Sequence, residues 1–208
     1  MWIKICGMTS EQAVETCIEE RVDAIGFVFA PSVRRLEPLQ AARLAAPARG
    51  RVRCVAVTLH PSQPLIEQIL QQFDPDILQT DLEDLAQLRL PASLSVLPVL
   101  RAGAAGDRTA AQRISPQQAL PTRLLFEGAH SGTGLAADWS AAASLAARTQ
   151  LVLAGGLNAL NIAAAIAAVR PFGVDVSSGV ESEPGRKSPH KIVQFIQAAR
   201  AAATAVSA

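Results

Sequence analysis

The sequence predicts an α/β protein of the (β/α)8 barrel type, a compact single domain covering residues 1–208. Three observations predict it. Eight short apolar runs with β character alternate with amphipathic helical patterns, which implies parallel strands joined by right-handed crossovers. Glycine-rich turns follow the last two runs, where such barrels build their recurrent phosphate site. No composition shift or Pro/Ser-rich linker divides the chain. At 208 residues the chain is short for a fold that typically takes about 250, so at least one helix must be stunted. An open doubly wound sheet is the alternative architecture.

The elements follow in order. Trp2–Cys6 is the first run, ended by Gly7. Thr9 to Gln12 has capping-box spacing with Thr9 as N-cap, and Ala13, Val14, Cys17 and Ile18 then give an apolar helical stripe. Ala24–Phe29 is apolar throughout, as in a strand buried on both faces. A loop with Arg34 and Arg35 leads to a helix over Leu39–Ala46, stopped by Pro47. Val52–Val57 is the third run, followed by a helix with Leu65, Ile69 and Phe73 on one face. Asp76–Gln79 is the fourth run, Leu82–Leu90 a short helix, and Ser95–Leu100 the fifth run. Residues 102–116 lack periodicity and read as a loop with a short helix.

Arg123–Glu127 is the sixth run, followed by the Gly-rich stretch His130 to Gly134. Asp138 is placed to cap a helix over Trp139–Ala147. Leu151–Ala154 is the seventh run, and Gly155-Gly156 follows it. Asn158 reads as an N-cap, with Ile162, Ile166 and Val169 as the helical stripe and Pro171 as the stop. Gly173–Val176 is the eighth run, with Ser177-Ser178-Gly179 after it. Pro189 opens the last helix, on which Ile192, Phe195, Ile196 and Ala199 form the apolar face. The Ala-rich tail beyond Arg200 is expected to fray.

Composition narrows the function classes. Nineteen basic and 18 acidic residues leave a net charge of +1, which provides no field for gathering nucleic acid or anionic lipid. Aromatics make up only 4%, too few for base-stacking platforms. Three cysteines with no CxxC argue against a disulfide framework or a Cys-rich zinc site and fit a reducing compartment. The first ten residues do not read as a signal peptide, and no run of about 18 apolar residues suggests a membrane span. The expected setting is cytoplasmic, with no nucleic-acid and no membrane partner.

A barrel carries its chemistry at the C-terminal ends of its strands. The polar residues expected there are Cys6, Arg34, Arg35, Gln79, Asp81, Arg101, Glu127 and Asp175 to Gly179. Gly155 and Gly156 with Ser177, Ser178 and Gly179 have the composition of a phosphate cradle, because glycine lets backbone N–H groups converge on an anion. Gly155-Gly156 also suits a tight strand-to-helix turn. Cys6 and Glu127, a thiol and a carboxyl at strand ends, could serve as base and acid across a substrate. A small buried residue is the other reading of Cys6. Cys17 and Cys54 read as core residues, and His60, His130 and His190 as exposed loop residues.

Taken together, five stretches resemble the phosphoribosylanthranilate isomerase family of tryptophan biosynthesis. They are Lys4-Ile5-Cys6-Gly7-Met8-Thr9, the strand from Asp23 to Phe29, Ser131-Gly132-Thr133-Gly134 with Asp138-Trp139, Leu153 to Leu157, and Gly173 to Glu181 with Pro184-Gly185. The likeness runs from Lys4 to about Arg200. It implies a (β/α)8 barrel that catalyses an Amadori rearrangement without metal or cofactor, on a small phosphosugar, N-(5-phosphoribosyl)anthranilate.

By resemblance, Cys6 is the general base that removes the C2′ proton. The family's acid is an Asp at the end of strand six, a position that Glu127 fills with one methylene more. Arg34 matches the Arg facing the anthranilate carboxylate, with Arg35 beside it as the fallback. Asp175 matches the residue near the sugar hydroxyls, and Gly155, Gly156, Ser177, Ser178 and Gly179 match the phosphate cradle. Gln79 matches a substrate-binding Gln, but Asp81 stands where the family usually has His. Thr58-Leu59 replaces the more usual Phe-Val. The competing readings are a neighbouring phosphosugar barrel enzyme and a barrel that binds a phosphorylated ligand without chemistry. Cys6 at the first strand, with no Lys at a later strand end, speaks against the first.

Overall fold

The computed structural model describes residues 1–101, 119–128 and 139–207. Eight parallel strands close into a barrel in sequence order: β1 (Trp2–Cys6), β2 (Ala24–Val28), β3 (Arg53–Val57), β4 (Ile77–Asp81), β5 (Ser95–Arg101), β6 (Arg123–Glu127), β7 (Gln150–Ala154) and β8 (Gly173–Val176). β8 pairs back onto β1, with Lys4 opposite Asp175. This is the predicted barrel, and the open sheet is excluded.

Alternation along each strand creates two cores. Side chains at Ile3, Ile5, Ile25, Phe27, Leu78, Phe126 and Leu153 join a shell packed against the helices. Ala24, Val55, Ile77, Leu97, Val99, Leu125 and Val152 fill the barrel interior. The shell includes an aromatic nest in which Phe73 lies 5.1 Å from Phe27 and 5.2 Å from Phe29, ring centre to ring centre. Such tilted pairs add to the stabilisation that burial alone gives.

The described helices are α1 (Glu11–Glu19), α2 (Pro38–Ala45), α3 (Gln63–Gln72), α4 (Trp139–Ala146), α5 (Ile162–Val169) and α6 (Pro189–Ser207). The predicted stunting falls after β4, where a 3-10 turn over Leu82–Ala86 stands in place of a helix. A two-stranded hairpin, β9 (Glu181–Glu183) and β10 (Arg186–Lys187), follows β8. Among the described residues no helix is long and apolar enough to cross a membrane.

Several ends differ from expectation for identifiable reasons. Ser10, not Thr9, caps α1, its hydroxyl accepting from the Ala13 N–H, while Thr9 donates to the Gly185 carbonyl at 2.7 Å. Asn158 heads a turn four residues before the first residue of α5, and Asn161 is the cap position. The tail past Arg200 continues as helix to Ser207, because alanine has the highest helix propensity and Ala202 still packs on the shell. His190 lies in the first turn of α6, exposed, rather than in a loop. The expected loop at 102–116, His130, the Gly-rich stretch after it and the Asp138 cap lie outside the described residues.

Phe73 anchors the aromatic nest, so Phe73→Ala should cost roughly 3–5 kcal/mol of stability. Urea unfolding should register this as a lower midpoint with an unchanged slope. A loss under 1 kcal/mol would mean that the shell closes over the missing ring.

Candidate active site

Several inward-facing residues towards the C-terminal ends of the strands are polar, unlike the apolar layer below them. β1 contributes Lys4 and Cys6, and β8 contributes Asp175. The Lys4 ammonium is fully buried and lies 2.9 Å from Asp175 Oδ1. Gly26, opposite Cys6 on β2, makes room for both β1 side chains. A Cβ added there would lie 3.0 Å from Cys6 Sγ and 3.2 Å from Lys4 Nζ.

Burial pushes the Cys6 thiol up, with Lys4 the strongest opposing influence. Burial works against the Lys4 charge, yet Asp175 and Cys6 outweigh it and raise its pKa. Burial likewise raises Asp175, against the pull of Lys4. Lys4 was missed in the sequence analysis. Its signal was a lysine two residues before Cys6 in an otherwise apolar strand, hence on the same face.

Arg34 reaches the same mouth from the β2 loop. Its Nε and Nη2 donate to the two carboxylate oxygens of Glu181, each at 2.6 Å. Such a fork-to-fork pair fixes the guanidinium plane. Glu181 also accepts from Lys187 Nζ at 2.7 Å and from the Gly185 N–H. Burial opposes the Glu181 charge, but the hydrogen bonds from Arg34 and Lys187 lower its pKa to about 2. Gly7, at φ +82°, lies directly under the Arg34 chain, where a Cβ would come within 2.5 Å of Arg34 Cδ. Arg35 turns away to an exposed pair with Glu37. Glu181 and Lys187 were not named as site residues. Only a buried carboxylate and a buried ammonium six residues apart could have marked them.

The two glycine loops meet as expected. Glu127, Ala154, Gly155, Gly156, Leu157, Asp175, Ser177 and Ser178 line one cavity of about 60 Å³. Gly155 and Gly156 both have positive φ, +98° and +66°, as the tight-turn reading of this pair requires. Gly179 lies outside the lining. It lets the loops after β7 and β8 touch, since a Cβ there would fall 1.9 Å from the Leu157 carbonyl oxygen. The Ser177 hydroxyl proton is committed to the Cys6 carbonyl at 3.1 Å, tying the β8 loop to the end of β1.

On the opposite wall, Arg101 at the end of β5 donates to Asp81 Oδ1 at 2.8 Å and also to the Glu127 carboxylate. Gln79 lies inside the barrel on β4, buried, and its Oε1 has no hydrogen-bond partner among the described residues. It does not line the small cavity. His60 stands exposed beside this wall, Nδ1 2.9 Å from Asp84 Oδ1 and Nε2 3.9 Å from Asp81 Oδ2. These three side chains bring possible metal-ligating atoms within 4.8 Å of one another. Cys17 and Cys54 are buried in the shell, as expected, and all three thiols are free. Two larger hollows, of about 770 and 620 Å³, open around Trp2, Arg53 and Asp76 at the N-terminal ends of the strands. That end of a barrel supports stability, not chemistry.

Residues 3–198 match the family model described as N-(5′-phosphoribosyl)anthranilate (PRA) isomerase. A curated N-(5′-phosphoribosyl)anthranilate isomerase of Mesorhizobium japonicum is 38% identical, over 96% of this chain and 95% of its own. The protein of the same name from Bordetella petrii is 37% identical, with the same coverage. Among solved structures, TrpF from Jonesia denitrificans superposes with a TM-score of 0.76 at 32% identity, over 99% of both chains. Phosphoribosyl anthranilate isomerase in complex with reduced 1-(o-carboxyphenylamino)-1-deoxyribulose 5-phosphate superposes with a TM-score of 0.77 at 28% identity, over 97% of this chain and 99% of that one.

The low pKa of Glu181 carries a stability consequence. A carboxyl whose pKa is depressed by folding stabilises the fold above its unfolded value, near 4.5, and loses that contribution as pH falls through about 2. Urea unfolding at a series of pH values should therefore show wild type and Glu181→Gln far apart above pH 4.5 and converging towards pH 2. A constant offset across that window would contradict the clamp.

Proposed function

Because the chain belongs to the N-(5′-phosphoribosyl)anthranilate isomerase family, the isomerases of tryptophan biosynthesis, we propose that Cys6 and Glu127 carry out its Amadori rearrangement as base and acid. The substrate is N-(5-phosphoribosyl)anthranilate and the product 1-(2-carboxyphenylamino)-1-deoxyribulose 5-phosphate. The observation that supports the assignment is a cavity lined by Glu127, Asp175 and both glycine loops; Cys6 is not in its lining but ends β1 beside it, its carbonyl accepting from the Ser177 hydroxyl.

The steps follow from the chemistry. The Glu127 carboxyl gives its proton to the ribose ring oxygen, and the C1′–O bond breaks to leave a protonated imine at C1′. The Cys6 thiolate takes the C2′ proton, and the electron pair moves into C1′=C2′ to form an enolamine. Return of a proton at C1′ with loss of the C2′ hydroxyl proton yields the ketone. Atoms balance without an added co-reactant, as an isomerisation requires. For the first step the Glu127 carboxyl must turn from the Arg101 guanidinium to the ring oxygen.

Binding divides among the remaining groups. Gly155, Gly156, Ser178 and the Ser177 backbone hold the phosphate through N–H groups, with Gly179 keeping the two loops in contact. Arg34 takes the anthranilate carboxylate. Its Nε edge is already engaged by Glu181, so the remaining guanidinium edge meets the substrate. Asp175 receives sugar hydroxyls, and Gln79 contributes from below its amide oxygen, which has no partner among the described residues. A cytoplasmic setting suits three free thiols, and the phosphosugar is the only partner this reading needs.

Arg34→Ala should lose on the order of 2–5 kcal/mol in kcat/KM, the range for truncating one partner of a desolvated charge pair. Arg34→Lys should recover part of it, since the planar fork is gone, and Arg35→Ala should stay near wild type. Damage from Arg35→Ala instead would move the carboxylate site by one residue.

Glu127→Gln has no acidic proton to give and should slow turnover on the order of 10²–10⁴-fold. Glu127→Asp separates two histories of the site. Slower turnover than wild type means the mouth has adapted to the longer side chain, and faster turnover means it only tolerates it. Full activity of Glu127→Gln would shift the acid to Asp81 or Asp175.

A further inference from the structure

Lys4 has no task in the reaction as written, yet its side chain is placed at high cost. It is a fully buried ammonium in the interior of a barrel strand. Burying an ion pair is expensive, and a pair of apolar side chains of similar volume would commonly serve stability as well or better. Lys4 and Cys6 are two residues apart on β1 and share its inner face. Both side chains converge on the space that Gly26 leaves empty, Sγ 3.0 Å and Nζ 3.2 Å from where its Cβ would lie, closer than ordinary van der Waals contact. Asp175, directly across the closing β1–β8 ladder, holds Nζ at 2.9 Å.

We propose that Lys4 is a positioning residue for the isomerisation, its ammonium holding the Cys6 thiolate in place beneath the C2′ hydrogen while Asp175 keeps that ammonium charged. The inference rests on Cys6 being the base. Among the described residues, the charged groups that act on the thiol are Lys4 from β1, Asp175 from β8, Lys187 from β10 and Arg34 from the β2 loop. Of the cations, Lys4 has the largest influence on Cys6 and exceeds that of Asp175. Lys187 is less constant as a charge, because burial lowers its pKa, whereas that of Lys4 is raised. The proton ledger leaves Lys4 unchanged. The thiol loses its proton to water, the thiolate takes the C2′ proton, and that proton leaves again as the ketone forms.

The test is alkylation of Cys6 by iodoacetamide across pH 6 to 10 in the full chain, read by mass spectrometry. Cys6→Ser supplies the background from Cys17 and Cys54. In Lys4→Met the alkylation midpoint should move to higher pH, with a rate near neutrality lower on the order of tenfold, one pKa unit's worth. Lys4→Met with Asp175→Asn removes the charge pair without stranding a carboxylate, so it serves if the single variant does not fold. Its midpoint should also stay above wild type. If Lys4 only neutralises Asp175, the double variant regains the wild-type profile, and the proposal falls. An unchanged profile in Lys4→Met overturns it as well.

The base assignment is tested separately in wild type. Alkylation should abolish turnover, and the reduced product analogue should protect Cys6. If alkylated wild type still turns over, Cys6 is not the base and the role of Lys4 falls with it. If wild type is inactivated while the Lys4 variants keep its profile, only the role of Lys4 falls.

Discussion

The buried pair of Lys4 and Asp175 is the constraint around which the mouth of this barrel is built. An ammonium sealed from water is tolerable only with an oxygen anion at hydrogen-bond distance. The ladder between β1 and β8 supplies one by placing the two residues opposite each other. Once that register is set, alternation along β1 turns Cys6 towards the same interior, and Gly26 must remain without a side chain. Thiol, ammonium, counter-charge and empty space are therefore one arrangement, fixed by the closing of the sheet.

A second network stands beside the first. Glu181 gathers Arg34, Lys187 and the Gly185 N–H around one carboxylate. Lys187 continues to the Ser177 carbonyl and hydroxyl, and Ser177 to the Cys6 carbonyl. The hairpin of β9 and β10 thus braces the β2 loop, the β8 loop and the end of β1 at once. Arg34 is held from behind by Glu181, and if it takes the carboxylate as proposed, such preorganisation lowers the entropy lost on binding.

Much of this was legible in the sequence, and the limits have physical causes. β6 and β8 were read to the residue because β-rich apolar runs there end at polar or glycine residues. Residues at the barrel mouth could be named because the C-terminal strand ends of a barrel converge there. The cap of α1 was misplaced by one because Thr9 and Ser10 have equivalent hydroxyls, and only the tertiary contact of Thr9 with Gly185 decides between them. The short crossover after β4 looked helical because Leu82, Leu85 and Leu88 fit either a 3-10 or an α spacing. Lys4, Glu181 and Lys187 stayed unread for another reason. A charged residue is ordinarily a surface residue, and only the folded partners, Asp175 for Lys4 and the Glu181–Lys187 pair with Arg34, explain why these are not.

The ties that complete the mouth join the two ends of the chain. Lys4 to Asp175 spans 171 residues, Arg34 to Glu181 spans 147, and Thr9 to Gly185 spans 176. Contacts of such separation are slow to form, because the entropy of closing the loop must be met before they return any energy. A chain emerging from the ribosome can pair β1 with β2 and β2 with β3 early. It cannot neutralise Lys4 or brace Arg34 until β8 and the hairpin beyond it have been made. Competence for chemistry is thus a late event in the folding of this chain, and a product lacking its last quarter would keep an ammonium with no counter-ion where its active centre should be.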